Sequence, residues 1–418
     1  MDIPIIVICY NNYKFVKNTL KQIKKINENY YKNIFIMNNC STCPKTIEYL
    51  NEVDVKIIQM PANICPQVDP ERNVDLYNQL PEKFILTDPD LEFNENLPSN
   101  FIDILVDISE RFQCYKVGFA LDISDWEKMY QYEMIQNEFS VYGFEKIFWY
   151  NKIEYNNLDL YINAGIDTTF GLNNKKFYIK NVCNQIRVAC NFTAKHLPWY
   201  YDSKVINVYD KYLIFNTNGV STCASTVLRH INENYEKINK NDEFFFIDKK
   251  DNNLTFWINR YPNWKIETFV IFDKYLSKDK IMIDIGASIG VISMYGSRKS
   301  KYIYAIESDN KKYEDLCLNM KNNCDDNYTL INNNYEDVIK DYLYPNLNNI
   351  SIIKVDILGS EELILNDLLE FYEKHKIPML ISFYYDLWNN KDISRFNLLS
   401  DEYKSKIIQT SLISILFP

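Results

Sequence analysis

Ile281-Met282-Ile283-Asp284-Ile285-Gly286-Ala287-Ser288-Ile289-Gly290 opens as an apolar run and closes in a glycine turn. The run has the length and β-branched content of a buried strand. Glycine numbers only 9 in the 418 residues. A pair in one short turn therefore marks a place where the backbone needs a conformation, or a closeness of approach, that a side chain would prevent. About 20 residues further on, Tyr304-Ala305-Ile306-Glu307 ends the next apolar run in an acid. A carboxylate there suits ribose hydroxyls. A helical pattern over Lys311–Lys321 and apolar runs at Ile350–Val355 and Met379–Phe383 continue the alternation of strand and helix. Such alternation predicts an α/β unit on a mostly parallel sheet. The spacing by itself admits a dinucleotide or S-adenosylmethionine.

Toward the amino terminus the same alternation recurs. Ile3–Cys9, Ile34–Met37, Lys56–Gln59 and Phe84–Thr87 are predicted strands. Tyr13–Ile26 carries Phe15, Val16, Leu20, Ile23 and Ile26 at helical spacing. The fourth strand runs straight into Phe84-Ile85-Leu86-Thr87-Asp88-Pro89-Asp90-Leu91-Glu92-Phe93. Carboxylates two apart at a strand's end can meet one divalent cation. Mg²⁺ and Mn²⁺ accept such oxygen ligands and share their other positions with phosphates. An ion there neutralises charge on a departing nucleoside diphosphate. The bland alternative is an exposed acidic turn, but ligands of parallel sheets gather at the carboxyl ends of strands. The first strand closes near Asn11 and the second at Asn38.

The length suits two or three domains. The expected division is 1–205, 206–263 and 264–418, the middle piece being a connector. Within it Tyr209–Asn216, Glu243–Asp248 and Leu254–Trp257 are predicted strands, with a helix around Ser225–Lys237. Hydrophobic residues make up 47% and charged residues 24%, as in a soluble protein with real cores. The net charge of -10 argues against sequence-independent nucleic-acid binding, which needs clustered Lys and Arg. Ten cysteines without framework spacing read as thiols in a reducing compartment. Cys40 and Cys43 form a CxxC with no second pair to complete a zinc site. The amino terminus lacks a basic flank, and no apolar stretch reaches the ~18 residues of a membrane helix. The expected location is cytoplasmic. The heavy use of Asn, Lys, Ile and Tyr fits an AT-rich genome, that of a microbe or of a large virus in its host cell.

The chain up to about residue 200 resembles family-2-like glycosyltransferases of the GT-A fold. The resemblance rests on Ile6–Asn12, Phe35–Asn39, Asp88-Pro89-Asp90, Lys116–Asp125, Asn163–Phe170, Arg187-Val188-Ala189 and Thr193–Tyr200. It implies that Asn11 and Asn38 border the base and ribose of a UDP- or GDP-sugar. Asp88 and Asp90 would then hold Mn²⁺ or Mg²⁺ and the diphosphate, with His196 as a third ligand. A histidine bonded to a backbone carbonyl is the structural alternative for His196. An inverting transfer also needs a carboxylate base. Asp167 is the first candidate, then Asp122 and Asp125; a retaining mechanism stays open. Arg187 would offset diphosphate charge or pair with an acid. Asn38 stands where that family usually has an acidic residue.

The carboxyl-terminal part, from about Asn253 to Trp388, resembles the FkbM-type family of class I methyltransferases. Phe256–Trp264, Glu267-Thr268-Phe269 and Ser351–Glu361 carry the likeness. It implies a Rossmann-like sheet, S-adenosylmethionine held through Asp284, Gly286, Gly290 and Glu307, and Asp356 in the catalytic block. Such enzymes O-methylate sugars and small molecules. Leu358 replaces that family's glutamate before the glycine, and Tyr384 stands where a histidine is expected. Together the two resemblances imply a bifunctional enzyme that extends and methylates a glycan, since tethering raises one product's concentration at the other site. A glycosyltransferase with an inactive second domain and a non-catalytic glycan-binding scaffold are the alternatives.

Overall fold

A computed structural model describes residues 3–132, 139–202, 205–216, 222–333, 339–384, 387, 407–409 and 413–418. Trp388, to which the second resemblance extends, lies outside them. The chain forms two compact units. One runs to Ile206 and includes Lys211–His230; the other comprises Asn207–Asp210 and everything from Ile231 onward. The residues expected to form a connector are thus divided between the two. Among the described residues no helix is long and apolar enough to cross a membrane.

The first unit is built on β1 (Ile5–Cys9), β2 (Ile34–Asn38), β3 (Lys56–Gln59), β4 (Lys83–Thr87), β5 (Leu91–Phe93), β6 (Lys116–Leu121), β7 (Lys152–Tyr155), β8 (Leu158–Ile162), β9 (Gly171–Asn174) and β10 (Gln185–His196). The sheet order is β3-β2-β1-β4-β9-β6-β10-β8-β7, with β5 paired to β10. Strand β1 lies parallel to both β2 and β4, so the chain turns from one side of β1 to the other between β3 and β4. Ligands of such sheets bind where that reversal opens a crevice. The expectation of a mostly parallel sheet holds only for this half. Strand β9 is antiparallel to β4 and β6, and β8 is antiparallel to β10 and β7. The helix Tyr13–Ile26 buries Phe15, Val16, Leu20 and Ile23. Across the sheet, Phe119 and Phe170 stack with ring centres 4.6 Å apart.

The second unit begins with a hairpin, β11 (Tyr235–Lys240) and β12 (Glu243–Asp248). Its main sheet contains β13 (Ile281–Ile285), β14 (Tyr302–Ile306), β15 (Tyr328–Ile331), β16 (Ile350–Val355), β17 (Met379–Phe383), β18 (Ile407–Gln409) and β19 (Ile413–Phe417). The order is β15-β14-β13-β16-β17-β19-β18. Strands β13 to β17 are mutually parallel where they pair, and β19 runs against β17 and β18. The reversal of direction across the sheet falls between β13 and β16.

Two predicted strands are helices instead. Tyr209–Asn216 lies in the helix Val208–Asn216, and Leu254–Trp257 in the helix Leu254–Asn259. The helix expected over Ser225–Lys237 spans Thr222–Asn234, and the chain then enters β11. Aromatic and β-branched content suggested strands, but strand preference mostly reports packing partners. Trp257 buries its ring against Tyr261 at 4.9 Å, and Tyr209 lies under the Arg298 guanidinium at 3.3 Å. Either partner is served by one face of a helix.

Candidate functional sites

Asp88 leaves the end of β4 at the first unit's reversal point. Its N–H donates to the Thr168 carbonyl at 2.6 Å, and its Oδ2 accepts the Thr168 hydroxyl. The Pro89 carbonyl accepts from Thr19 Oγ1 at 2.5 Å, which fixes the turn. Strand β5 follows at once and pairs antiparallel with the end of β10, placing His196 opposite Leu91. Leu197 N–H donates to the Asp90 carbonyl at 2.8 Å. The register shift between Val188 and Thr193 lets one long strand serve both β6 and β5. As a result His196 Nε2 lies 3.5 Å from Asp90 Oδ1. One ligand atom each from Asp88, Asp90 and His196 lie within 4.8 Å of one another.

The electrostatics of this cluster suit a cation. Burial pushes both carboxyls well above the usual carboxylate range, and the charge of Asp90 pushes Asp88 further. Burial also pulls the His196 imidazole down to about 4, so it is neutral near pH 7. Its Nδ1 is buried without a hydrogen-bond partner. Two crowded carboxylates and a neutral imidazole form an unfavourable group alone and a fitting donor set for a divalent ion.

The other expected residues of this unit fare differently. Asp167 is exposed and accepts a hydrogen bond from the Gln67 side chain. Asp122 Oδ1 accepts the Ser124 N–H at 2.8 Å, a turn-capping role. Asp125 sits between Lys195 Nζ at 2.5 Å and the Tyr200 hydroxyl at 2.8 Å. Burial raises its carboxyl, but these partners outweigh burial and leave it below its ordinary value, so it is a weak base. Arg187 is buried and ion-paired with Glu145, it donates to the Gly165 carbonyl at 2.8 Å, and its guanidinium lies 4.1 Å from the Phe148 ring. Of its two expected roles, the structure shows the pairing with an acid. Asn11 and Asn38 also work locally. Asn11 Oδ1 accepts the Thr42 and Cys43 N–H groups at 2.7 Å, and Asn38 joins Gln59 and Ser41. Both shape the loop at the crevice from within.

In the second unit a cavity of about 480 Å³ opens at the reversal point, lined among others by Gly286, Ser288, Glu307, Asp356, Trp264 and Tyr384. Gly286 has φ 77°, and a Cβ there would strike the Asp356 carbonyl. Glu307 is held at the rim by the N–H groups of Ser288 at 2.7 Å and Asp309 at 2.9 Å. Gly290, with φ 90°, continues the same turn. Asp284 is fully buried and braces the loop from below, with Lys354 Nζ at 2.8 Å and the Ser293 hydroxyl at 2.6 Å. Lys354 also donates to the Gly286 carbonyl at 2.7 Å. Asp356 is gripped by Lys265 Nζ at 2.6 Å and the Tyr384 hydroxyl at 2.7 Å. Burial raises the Asp356 carboxyl, but Lys354 and Lys265 outweigh it and hold the group below its ordinary value.

Lys265 adopts a left-handed conformation, φ 46°, ahead of the helix Ile266–Tyr275. The corner before it is tied by Lys240 of β11. Its ammonium donates to the carbonyls of Tyr261 at 3.1 Å, Pro262 at 3.3 Å and Trp264 at 2.6 Å. The β11–β12 hairpin, which falls in the stretch expected to be a connector, is therefore part of the foundation of this cavity. Lys265 and Lys240 escaped the sequence reading, and Lys354 and Thr168 entered it only within the blocks that carry the two resemblances. A lone lysine or threonine carries no spacing signal until its partners are known.

A scan against protein-family profiles finds no match. Among curated proteins, protein arginine N-methyltransferase 1 of Chlamydomonas reinhardtii is 30% identical over 93 residues, which is 22% of this chain. The match spans 24% of that protein's length. Among solved structures, precorrin-6y C5,15-methyltransferase from Geobacter metallireducens is 12% identical, covers 38% of this chain and 89% of that one, and gives a TM-score of 0.28. An rRNA methylase from Streptococcus thermophilus is 12% identical with 36% and 91% covered and a TM-score of 0.28. The M. jannaschii TYW2 structure in complex with AdoMet is 14% identical with 44% and 84% covered and a TM-score of 0.25.

Proposed function

We propose that the first unit transfers a sugar from a nucleotide-sugar donor with Mn²⁺ or Mg²⁺, and that the second methylates a sugar hydroxyl with S-adenosylmethionine. The acceptor would be a glycan or glycoconjugate in the cytoplasm. The observation that carries the reading is the meeting of Asp88, Asp90 and His196 at the reversal point of the first sheet. A divalent ion supplies charge that offsets a departing diphosphate. Asp88, Asp90 and His196 would hold it. Asp167, exposed and in the same loop as Thr168, would take the acceptor hydroxyl's proton as the sugar–diphosphate bond breaks and the new glycosidic bond forms.

In the second unit the fit is to an adenosyl cofactor. Gly286 leaves room for close approach, and Glu307 presents a fixed carboxylate to ribose hydroxyls. S-adenosylmethionine supplies an electrophilic methyl group. Asp356 would accept a hydrogen bond from the attacking hydroxyl and orient it. A second reading, cofactor binding without methyl transfer, draws support from the way Lys265 and Tyr384 already occupy both Asp356 oxygens.

A thermal-shift panel tests the pair. A Mn²⁺-dependent rise in Tm with one nucleoside-diphosphate sugar, lost in Asp90→Ala, is expected. So is a rise with S-adenosylmethionine that Glu307→Ala removes. No response to any sugar nucleotide in the folded, metal-supplied protein sinks the glycosyl-transfer reading. No response to S-adenosylmethionine sinks the methyl-transfer reading independently.

A further inference from the structure

We propose that Thr168 sets the cation preference of the first unit's site, by holding Asp88 so that a single carboxylate oxygen faces the ion; this rests on the metal-site reading above. Thr168 and Asp88 grip each other twice, through the Asp88 N–H to Thr168 carbonyl bond at 2.6 Å and through the Thr168 hydroxyl to Asp88 Oδ2. The hydroxyl has little freedom to leave. Thr168 is buried, and the two residues before it are tied down by Lys116, whose ammonium donates to the Ile166 carbonyl at 3.1 Å and to the Asp167 carbonyl. Two residues after it, Phe170 is stacked on Phe119, and the Phe170 carbonyl lies so near β6 that a Cβ on Gly118 would come within 2.5 Å of it. The loop is clamped on both sides of Thr168.

The consequence is chemical. With its rotation fixed and one oxygen engaged by a hydroxyl donor, Asp88 offers the other oxygen as its ligand. Ca²⁺ takes six to eight oxygens and often draws both oxygens of a carboxylate, whereas smaller octahedral ions accept one from each. The imidazole of His196, 3.5 Å from Asp90, adds a nitrogen donor that suits a transition ion better than Ca²⁺. Thr168 therefore disfavours Ca²⁺ at a site whose two carboxylates alone would not exclude it.

The test is calorimetric titration of the full chain with Mn²⁺ and, separately, with Ca²⁺. Wild type, Thr168→Val, Thr168→Ala and Thr168→Ser are compared. Wild type is expected to bind Mn²⁺ more tightly than Ca²⁺. Loss of the hydroxyl in Val or Ala should weaken Mn²⁺ about tenfold and strengthen Ca²⁺ as the second Asp88 oxygen is freed, and Ser should keep the wild-type ratio. A folded Val or Ala variant with the wild-type ratio overturns the proposal, as does a Ser variant that behaves like Val. Wild type that binds neither ion overturns the metal-site reading itself, before any variant is compared.

Discussion

At the scale of single residues, the two candidate sites place their carboxylates in opposite electrostatic states. Asp356 is mostly covered, stands beside two ammonium groups and sits below its ordinary value. Its pairing is a stabilising contribution that is present above the unfolded carboxylate pKa of about 4 and is lost as pH falls through the lowered folded value. Lys265→Met leaves that carboxylate short of a partner and should cost about 3 kcal/mol in urea unfolding at neutral pH. Lys265→Met combined with Asp356→Asn should recover much of the loss. Asp88 and Asp90 behave the other way. Their folded values are raised by burial, so the metal-free native state holds protons that the unfolded chain has released. Their contribution therefore falls as pH rises from the ordinary carboxylate range through the raised value. Without metal, Asp90→Asn should melt higher than wild type on the alkaline side of that window. Saturating Mn²⁺ should reverse the order, because only wild type binds it well. Melting curves with and without EDTA read both signs.

At the scale of elements, both crevices depend on backbones that approach too closely for side chains. The turn after β13 passes directly under the end of β16 at Gly286. Gly286→Ala would carry both a positive φ and a collision with the Asp356 carbonyl, which cannot yield as a flexible side chain does. The expected result is loss of S-adenosylmethionine binding together with at least ~1 kcal/mol of stability, read by calorimetry and urea unfolding. The β11–β12 hairpin acts at a distance. Its Lys240 gathers three carbonyls of the corner that presents Lys265, and burial lowers this ammonium to about 8. Lys240→Met should loosen that corner, seen as faster amide exchange over 261–266 with the β13–β16 core still protected.

At the scale of the whole molecule, two units with separate hydrophobic cores should unfold in separable steps. Scanning calorimetry of the full chain should resolve two transitions. Mn²⁺ with a nucleoside diphosphate should raise one, and S-adenosylmethionine the other, because each ligand stabilises only the unit that binds it. A single transition moved equally by either ligand would show that the units do not unfold independently.

The strands of both reversal points were legible from the sequence because buried parallel strands are short apolar runs. Ile281–Ile285, Tyr302–Ile306, Ile350–Val355 and Met379–Phe383 stand in the structure with the boundaries read from the chain, as does the mostly exposed edge strand Lys56–Gln59. Asp88, Asp90, Gly286 and Glu307 were legible too, since local order alone puts them where such strands end. The sequence suggested His196 only by resemblance, and its approach to Asp90 is decided by the antiparallel pairing of β5 with β10, a contact between distant segments. Arg187 and Asp125 looked available in the sequence and are committed to Glu145 and Lys195 in the fold. Helix was mistaken for strand at Tyr209–Asn216 and Leu254–Trp257 because the burial of one ring in each, Tyr209 and Trp257, against remote partners, not the run's composition, goes with the conformation. Local backbone preference and apolar spacing travel with the sequence. Partners for a buried charge, and the second face of a site, exist only once remote strands pair.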